Sequence, residues 1–491
     1  MSERLPRRAF LRLAAASSAG ALLAACQPQV VEKIVKETVE VEKVVKETVE
    51  VEKVVEKEKV VKETVVVEKI ATAPAQATER QEIVLWWGSG FDIETKLEQD
   101  PNNTDALWAR ELLTIFEDRY TNVKVKCEDH GWDEPLRTGL LTAIAGGNVP
   151  EVTIGEAYVH EFATLGALAE INVDPDEFAW GCIAGAYLDG KVYGVPAFTS
   201  SFALEINRKV VGDSGLDPDY VPQTWDEILD QSMKIFKAGE EGKNWFGFTV
   251  YGPTPTRTYG AVLRALPWIN RSGGLLGDDA GTKASFNDPK AIAAYQMLRD
   301  LFKTTDPGTS LSEHEEKVGG ALWDNKSAYQ VSATWDCYSA RRLEADTVYA
   351  PVPLCIEGCT RSNVVLGNLT FSPLKAAKNV EMGAKWCEFL AEADTQWLIA
   401  KIRGSVMPTV KRVLESPSLV QQPGYAGLEK EMAVHAEILL NEELHPVPPF
   451  KKNPSRIWAL WSDVFAKILL SDEPLQILLD GMQTEVEKLM K

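Results

Sequence analysis

Residues 140–155 read LLTAIAGGNVPEVTIG. The stretch from Trp132 to Ala145 carries helical apolar spacing, and Gly146-Gly147 closes it, as glycine closes many helices. Glu151-Val152-Thr153-Ile154-Gly155 then follows as a short buried strand. A helix that stops on glycine and feeds at once into an apolar strand is half of an alternating α/β unit. The same alternation extends outward. Val123–Lys126 alternates as a strand, and Leu107–Tyr120 is an amphipathic helix. Ile83-Val84-Leu85-Trp86-Trp87-Gly88 is a buried strand ending on glycine, and Val159–Gly166 is a helix. Strands alternating with helices predict an α/β class with a mainly parallel sheet. Ligands of such sheets sit beyond the carboxyl ends of the strands. That expectation points to Trp87-Gly88, Glu156-Ala157-Tyr158 and Thr199-Ser200.

The chain begins with a different kind of segment. Arg4, Arg7, Arg8 and Arg12 make a basic start, and Leu11–Ala25 is apolar and rich in small residues. This run is shorter than the roughly 20 residues of a spanning helix. It reads as the core of a signal peptide over residues 1–25. Arg7-Arg8-Ala9-Phe10-Leu11-Arg12 resembles the bacterial twin-arginine export signal. Leu23-Ala24-Ala25-Cys26 resembles a lipoprotein lipobox, which would make Cys26 the acylated first residue. Acyl chains hold a protein on a membrane without spanning it. The expected location is the extracytoplasmic face of a bacterial membrane.

Residues 31–40 read VEKIVKETVE and 41–50 read VEKVVKETVE, a ten-residue repeat. Glu42–Lys46 is a favourable i,i+4 pair. A ten-residue period nevertheless slips the valine stripe by roughly 80° per unit, so no straight helix face collects it. The period also misses both supercoil repeats, and the β-branched residues pull toward strand. The conformation stays open between these, with a self-associating coil as a further reading. The function expected of residues 26–80 is a lipid anchor and spacer, ending in an Ala/Thr/Pro joint at 71–79.

Without residues 1–25 the chain keeps 491 − 25 = 466 residues, enough for two domains. A net charge of −20 speaks against a nucleic-acid partner, which needs a basic face, and none is expected. Beyond Cys26 the cysteines are Cys127, Cys182, Cys337, Cys355, Cys359 and Cys387. They can pair or stay as buried thiols, and Cys355 and Cys359 are spaced for a small disulfide loop. Paired cysteines or histidines at zinc spacing are missing, so no metal is expected. No cofactor is expected either.

Several phrases occur in an order that resembles one family. Tyr120-Thr121-Asn122-Val123-Lys124-Val125, Leu140–Val152 and Gly190-Lys191-Val192-Tyr193-Gly194-Val195-Pro196 come first. Asn207-Arg208-Lys209, Gly215-Leu216-Asp217-Pro218, Thr224-Trp225-Asp226-Glu227 and Thr334-Trp335-Asp336 follow. The chain from about 82 to 490 is similar throughout to extracellular solute-binding proteins of bacterial ABC importers, the family of maltodextrin- and other sugar-binding proteins. The resemblance implies a two-lobe, periplasmic-binding-protein-like (Venus flytrap) α/β fold with a ligand cleft between the lobes. Lobe one would hold 82–197 plus 360–412, and lobe two 198–358 plus 413–491. Crossings would fall near 197, 359 and 412. It further implies a monomeric binding domain that delivers a sugar to membrane permease subunits.

Sugars need a flat aromatic for the ring face and planar polar groups for the hydroxyls. Trp335 stands where family members often place an aromatic against the sugar, with a core tryptophan as the alternative. Asp336 could accept hydroxyl bonds or cap the following helix. Trp268 and Asn270, in Pro267–Gly274, resemble a ligand-contacting stretch. Asn368 replaces a glycine that is usual on a crossing strand and adds an amide. Trp87, Tyr158 and Thr199 are strand-end candidates. Arg403 lies in a loop like the family's, with an ordinary surface charge as the alternative. Trp458, on a late helix, reads as core.

No spacing singles out a pair among Glu156, Glu205 and Asp336 for hydrolysis, no nucleophile elbow appears, and no P-loop appears. The chain is therefore expected not to be an enzyme. Rival readings are a sensor that presents ligand to a receptor, and a binder of a polyol, glycerophosphodiester or other small polar solute.

Overall fold

Apolar runs bounded by turns become strands, in chain order β1 (Gln81–Trp86), β2 (Val123–Glu128), β3 (Val152–Gly155), β4 (Val195–Pro196), β5 (Phe202–Asn207), β6 (Phe246–Thr249), β7 (Ser327–Ala333), β8 (Thr347–Ala350), β9 (Ser362–Val364), β10 (Thr370–Pro373) and β11 (Glu443–His445). They belong to a computed structural model that describes residues 80–491 apart from 88–91, 132, 156–157, 255–257, 356–358 and 366–369. The chain divides after Gln76, and every described residue lies in the second unit. The signal segment, Cys26, the repeat, Glu156 and Asn368 fall outside the described residues.

The strands form two main sheets, one for each lobe. The first has the order β2-β1-β3-β10-β4 and the second β8-β5-β7-β6. β1 runs parallel to β2 and β3, while β10 runs antiparallel to β3 and β4. In the second sheet β6 is parallel to β7, and β5 opposes both β7 and β8. Each sheet is thus mixed, with one strand reversed against the others, so that the first has two parallel and two antiparallel pairings and the second one parallel and two antiparallel. The reversed strands, β5 and β10, are those that the chain enters from the other sheet. An entering segment arrives at the edge from which the resident strands leave, so it runs against them.

The connecting segments lie side by side. Thr199 and Met407 exchange backbone hydrogen bonds of 2.8 Å, Ser201 bridges Val365, and β9 pairs in parallel with β11. The polar residues here are closed to water, with Thr199, Ser200, Ser201 and Asn363 all 0% exposed. Buried polar groups of this kind need partners. Ser200 Oγ accepts from the Thr334 N–H at 3.0 Å, Ser201 Oγ lies 2.9 Å from His435 Nδ1, and Asn363 Nδ2 donates to the Phe202 carbonyl at 2.9 Å.

Helices pack on the sheets where their caps start them. Thr224 and Glu227 form a reciprocal capping box on helix Trp225–Glu240, each closing an orphan N–H at 3.3 Å. Helix Asp133–Gly146 ends before Gly147, whose φ of +68° is the left-handed geometry that glycine tolerates. Among the described residues no helix is long and apolar enough to cross a membrane.

Candidate functional site

The described candidate residues are divided between the two lobes and the crossing that joins them. In the first lobe, Trp87 follows β1 and is 1% exposed. Its ring meets Trp108 at 5.7 Å, Phe371 at 4.9 Å and Trp386 at 6.2 Å. Arg403 joins the same cluster. Its guanidinium sits 4.6 Å from the Trp108 ring and 4.1 Å from that of Phe198, and its Nε donates to Asp105 at 2.7 Å. Cation–π contact and an ion pair therefore hold Arg403 against the lobe. Thr199, on the crossing segment, is fully buried.

In the second lobe, Trp268 is 0% exposed, with Trp225 at 5.8 Å and Phe248 at 5.7 Å. Asn270, near the end of the same helix, is buried, and its carbonyl accepts from Thr360 Oγ1 at 3.1 Å. The packing gives Trp87 and Trp268 structural positions within their lobes. Trp458 is likewise packed, with Phe286, Phe450 and Trp461 around it. Trp335 differs. It is half-buried, and Phe202 meets its ring edge-on at 6.0 Å. Tyr158 is buried, with its ring edge-on to Phe162.

Trp335 occupies the first turn of helix Thr334–Arg342, directly after β7. Asp336 fixes that turn. Its Oδ2 accepts from the Ala333 N–H at 2.8 Å and from Arg264 Nη2 at 3.1 Å. Arg264 in turn lies 3.8 Å from the centre of the Tyr251 ring. Asp336 thus does cap the helix, one of the two roles open from the sequence.

Beneath this turn lies Glu205 of β5, 0% exposed. Its carboxylate accepts from Trp323 Nε1 at 2.9 Å, from Gln330 Nε2 at 2.7 Å and from the Ser332 hydroxyl. Burial is the largest influence and pushes the carboxyl up to about 7, against the opposing hydrogen bonds from Ser332 and Gln330. The sequence carried a signal for this group, since Glu205 is the one charge in the apolar stretch Phe202–Ile206. The Arg264–Tyr251 stack carried none. The cysteines show both outcomes open from the sequence. Cys355 and Cys359 are disulfide-bonded, whereas Cys182, Cys337 and Cys387 are buried thiols.

Among the described residues no cluster of histidine, cysteine and carboxylate groups could hold a metal ion. What the geometry offers is a half-buried aromatic ring at the end of β7, on a turn held by Asp336 and Arg264, in a chain of two lobes joined by paired crossing segments. That combination defines a two-lobe binding protein. Residues 98–397 match the family of bacterial extracellular solute-binding proteins, and the chain belongs to it.

The relatives are distant. A maltooligosaccharide ABC transporter solute-binding lipoprotein of Streptococcus pneumoniae is 23% identical over 405 residues, covering 77% of this chain and 87% of its own. An ABC transporter-binding protein of Deinococcus radiodurans is 25% identical over 246 residues, 48% of this chain and 56% of its own. The sn-glycerol-3-phosphate-binding periplasmic protein UgpB of Pectobacterium atrosepticum is 25% identical over 254 residues, 48% of this chain and 52% of its own. The chain therefore spans about half the length of the latter two relatives. Among solved structures, the cyclic alpha-maltosyl-1,6-maltose binding protein of Arthrobacter globiformis aligns with a TM-score of 0.68 at 18% identity, over 84% of this chain and 99% of that one. UgpB of Mycobacterium tuberculosis, in complex with glycerophosphocholine, aligns with a TM-score of 0.66 at 16% identity, over 84% and 98%. At these identities the structures speak for the fold.

Proposed function

We propose that the chain is a lipid-anchored, extracytoplasmic binding protein that captures a carbohydrate and hands it unchanged to an ABC importer. Cys26 carries the anchor, residues 31–70 space the domain from the membrane, and the solute is taken between the lobes. Trp335 is the stacking ring. Asp336 holds its turn, and Tyr158 and Asn368 supply further polar contacts. Trp87, Trp268, Asn270, Thr199 and Arg403 support these positions from within the lobes. Hinge closure follows from the two-lobe architecture, and a ligand drives it only by binding the closed state better.

The charge state of the candidate cations carries the choice of solute. Arg264 is paired with Asp336, and Arg403 with Asp105. Both arginines in the candidate groups are thus neutralised, which fits an uncharged sugar better than a phosphate. The relative with maltooligosaccharide in its name also matches over 87% of its length, against 52% for the glycerol-phosphate one. A thermal-shift screen of carbohydrates, polyols and glycerophosphodiesters tests the reading. Stabilisation by a sugar supports it, and stabilisation by a glycerophosphodiester alone overturns it.

A further inference from the structure

Beside the crossing near residue 359 lies a cavity of about 110 Å³ that none of the candidate ligand residues lines. Pro222, Val352 and Pro353 give it apolar walls, and Arg271, Arg361 and Glu442 bring charge to it. The volume exceeds the roughly 10–15 Å³ that a single water needs.

Arg271 ends helix Thr258–Arg271, and its side chain is 2% exposed. One guanidinium nitrogen donates to Glu442, while Nε is buried without a hydrogen-bond partner. Glu442 also accepts from Asn363 Nδ2 at 3.1 Å, so its second oxygen is engaged elsewhere. Arg361 precedes β9, is exposed, and brings a like charge toward Arg271. Among the described residues no carboxylate forms an ion pair with Arg361. Among the described lining residues, two guanidinium groups face one carboxylate, an excess of one positive charge. A buried donor without a partner is costly, and an oxyanion relieves that cost. Arginine forks match carboxylates in particular. The single net charge suits a monoanion, and the proline and valine walls suit a carbon tail.

We propose that this cavity is a second ligand site, separate from the carbohydrate cleft, that takes a small organic monocarboxylate between Arg271 and Arg361.

Ligand-observed NMR on the full chain, with benzoate, acetate and inorganic phosphate as probes, tests it in wild type and Arg361→Gln. Arg361 is exposed, so the variant should melt like wild type. Benzoate should bind saturably and more tightly than phosphate, and Arg361→Gln should weaken it by about tenfold or more. Carbohydrate affinity should stay within about twofold in the variant. Lack of saturable carboxylate binding, equal binding in the variant, or tighter binding of phosphate would overturn the proposal. Loss of carbohydrate binding in Arg361→Gln would show that the two sites are not separate.

Discussion

Arg264 Nη2 lies 3.1 Å from Asp336 Oδ2, and the two side chains are 2% and 6% exposed. The pair stands where sequence reading left Asp336 open between ligand and cap. Removing one member of a buried ion pair strands the other charge, which costs about 3–5 kcal/mol. Asp336→Ala should therefore lower the free energy of unfolding by about that amount in urea titrations. A loss below about 1 kcal/mol would mean that the pair is effectively solvated.

The tryptophans should separate by role. Trp87→Ala and Trp268→Ala empty packed clusters and should each cost about 3–5 kcal/mol of stability. Trp335 is half-buried. Trp335→Ala should keep most of the unliganded melting temperature and lose the carbohydrate-induced shift. A variant that melts far lower yet binds sugar normally would make Trp335 a core residue.

Glu205 predicts a pH dependence of a definite sign. Burial raises its carboxyl from 4.5 to about 7 in the folded protein. The folded state thus holds the proton more tightly than the unfolded one. The stability carried by the protonated form is complete below about 4.5 and is lost as pH rises through about 7. Glu205→Gln stays neutral throughout. The difference in unfolding free energy between variant and wild type should grow in the variant's favour by on the order of 3 kcal/mol from pH 4.5 to 8. A flat difference would mean that Glu205 titrates alike in both states.

Anchoring is tested at Cys26. Cys26→Ala should release the protein from membranes or leave an unprocessed precursor. Normal retention of a processed Cys26→Ala protein on membranes would contradict the lipoprotein reading.

Local signals made much of the fold legible. The helix that stops before Gly147 and the alternation of strand with helix are both written within a few neighbouring residues. The reversed strands β5 and β10 were not legible, because their direction depends on which sheet the chain comes from. Ion pairs were hidden for the same reason. Arg264 and Asp336 are 72 positions apart, and Arg271 and Glu442 are 171 apart. Tryptophan context does not report ring packing at two positions. Trp87 beside Gly88, and Trp268 two residues before Asn270, read as ligand-facing, yet their rings pack against Trp386 and Phe248. Neighbours in sequence say little about which way a large ring turns.

The central claim is that the lobes close on an uncharged sugar. The most direct measurement is calorimetric titration of the full chain with a maltooligosaccharide and, separately, with sn-glycerol 3-phosphate, followed by melting at saturation. The account predicts saturable binding of the sugar and stabilisation by about 2.7 kcal/mol at a hundred times its dissociation constant. It also predicts no comparable heat from the phosphate. Saturable binding of sn-glycerol 3-phosphate, with none by any oligosaccharide tried, would contradict it.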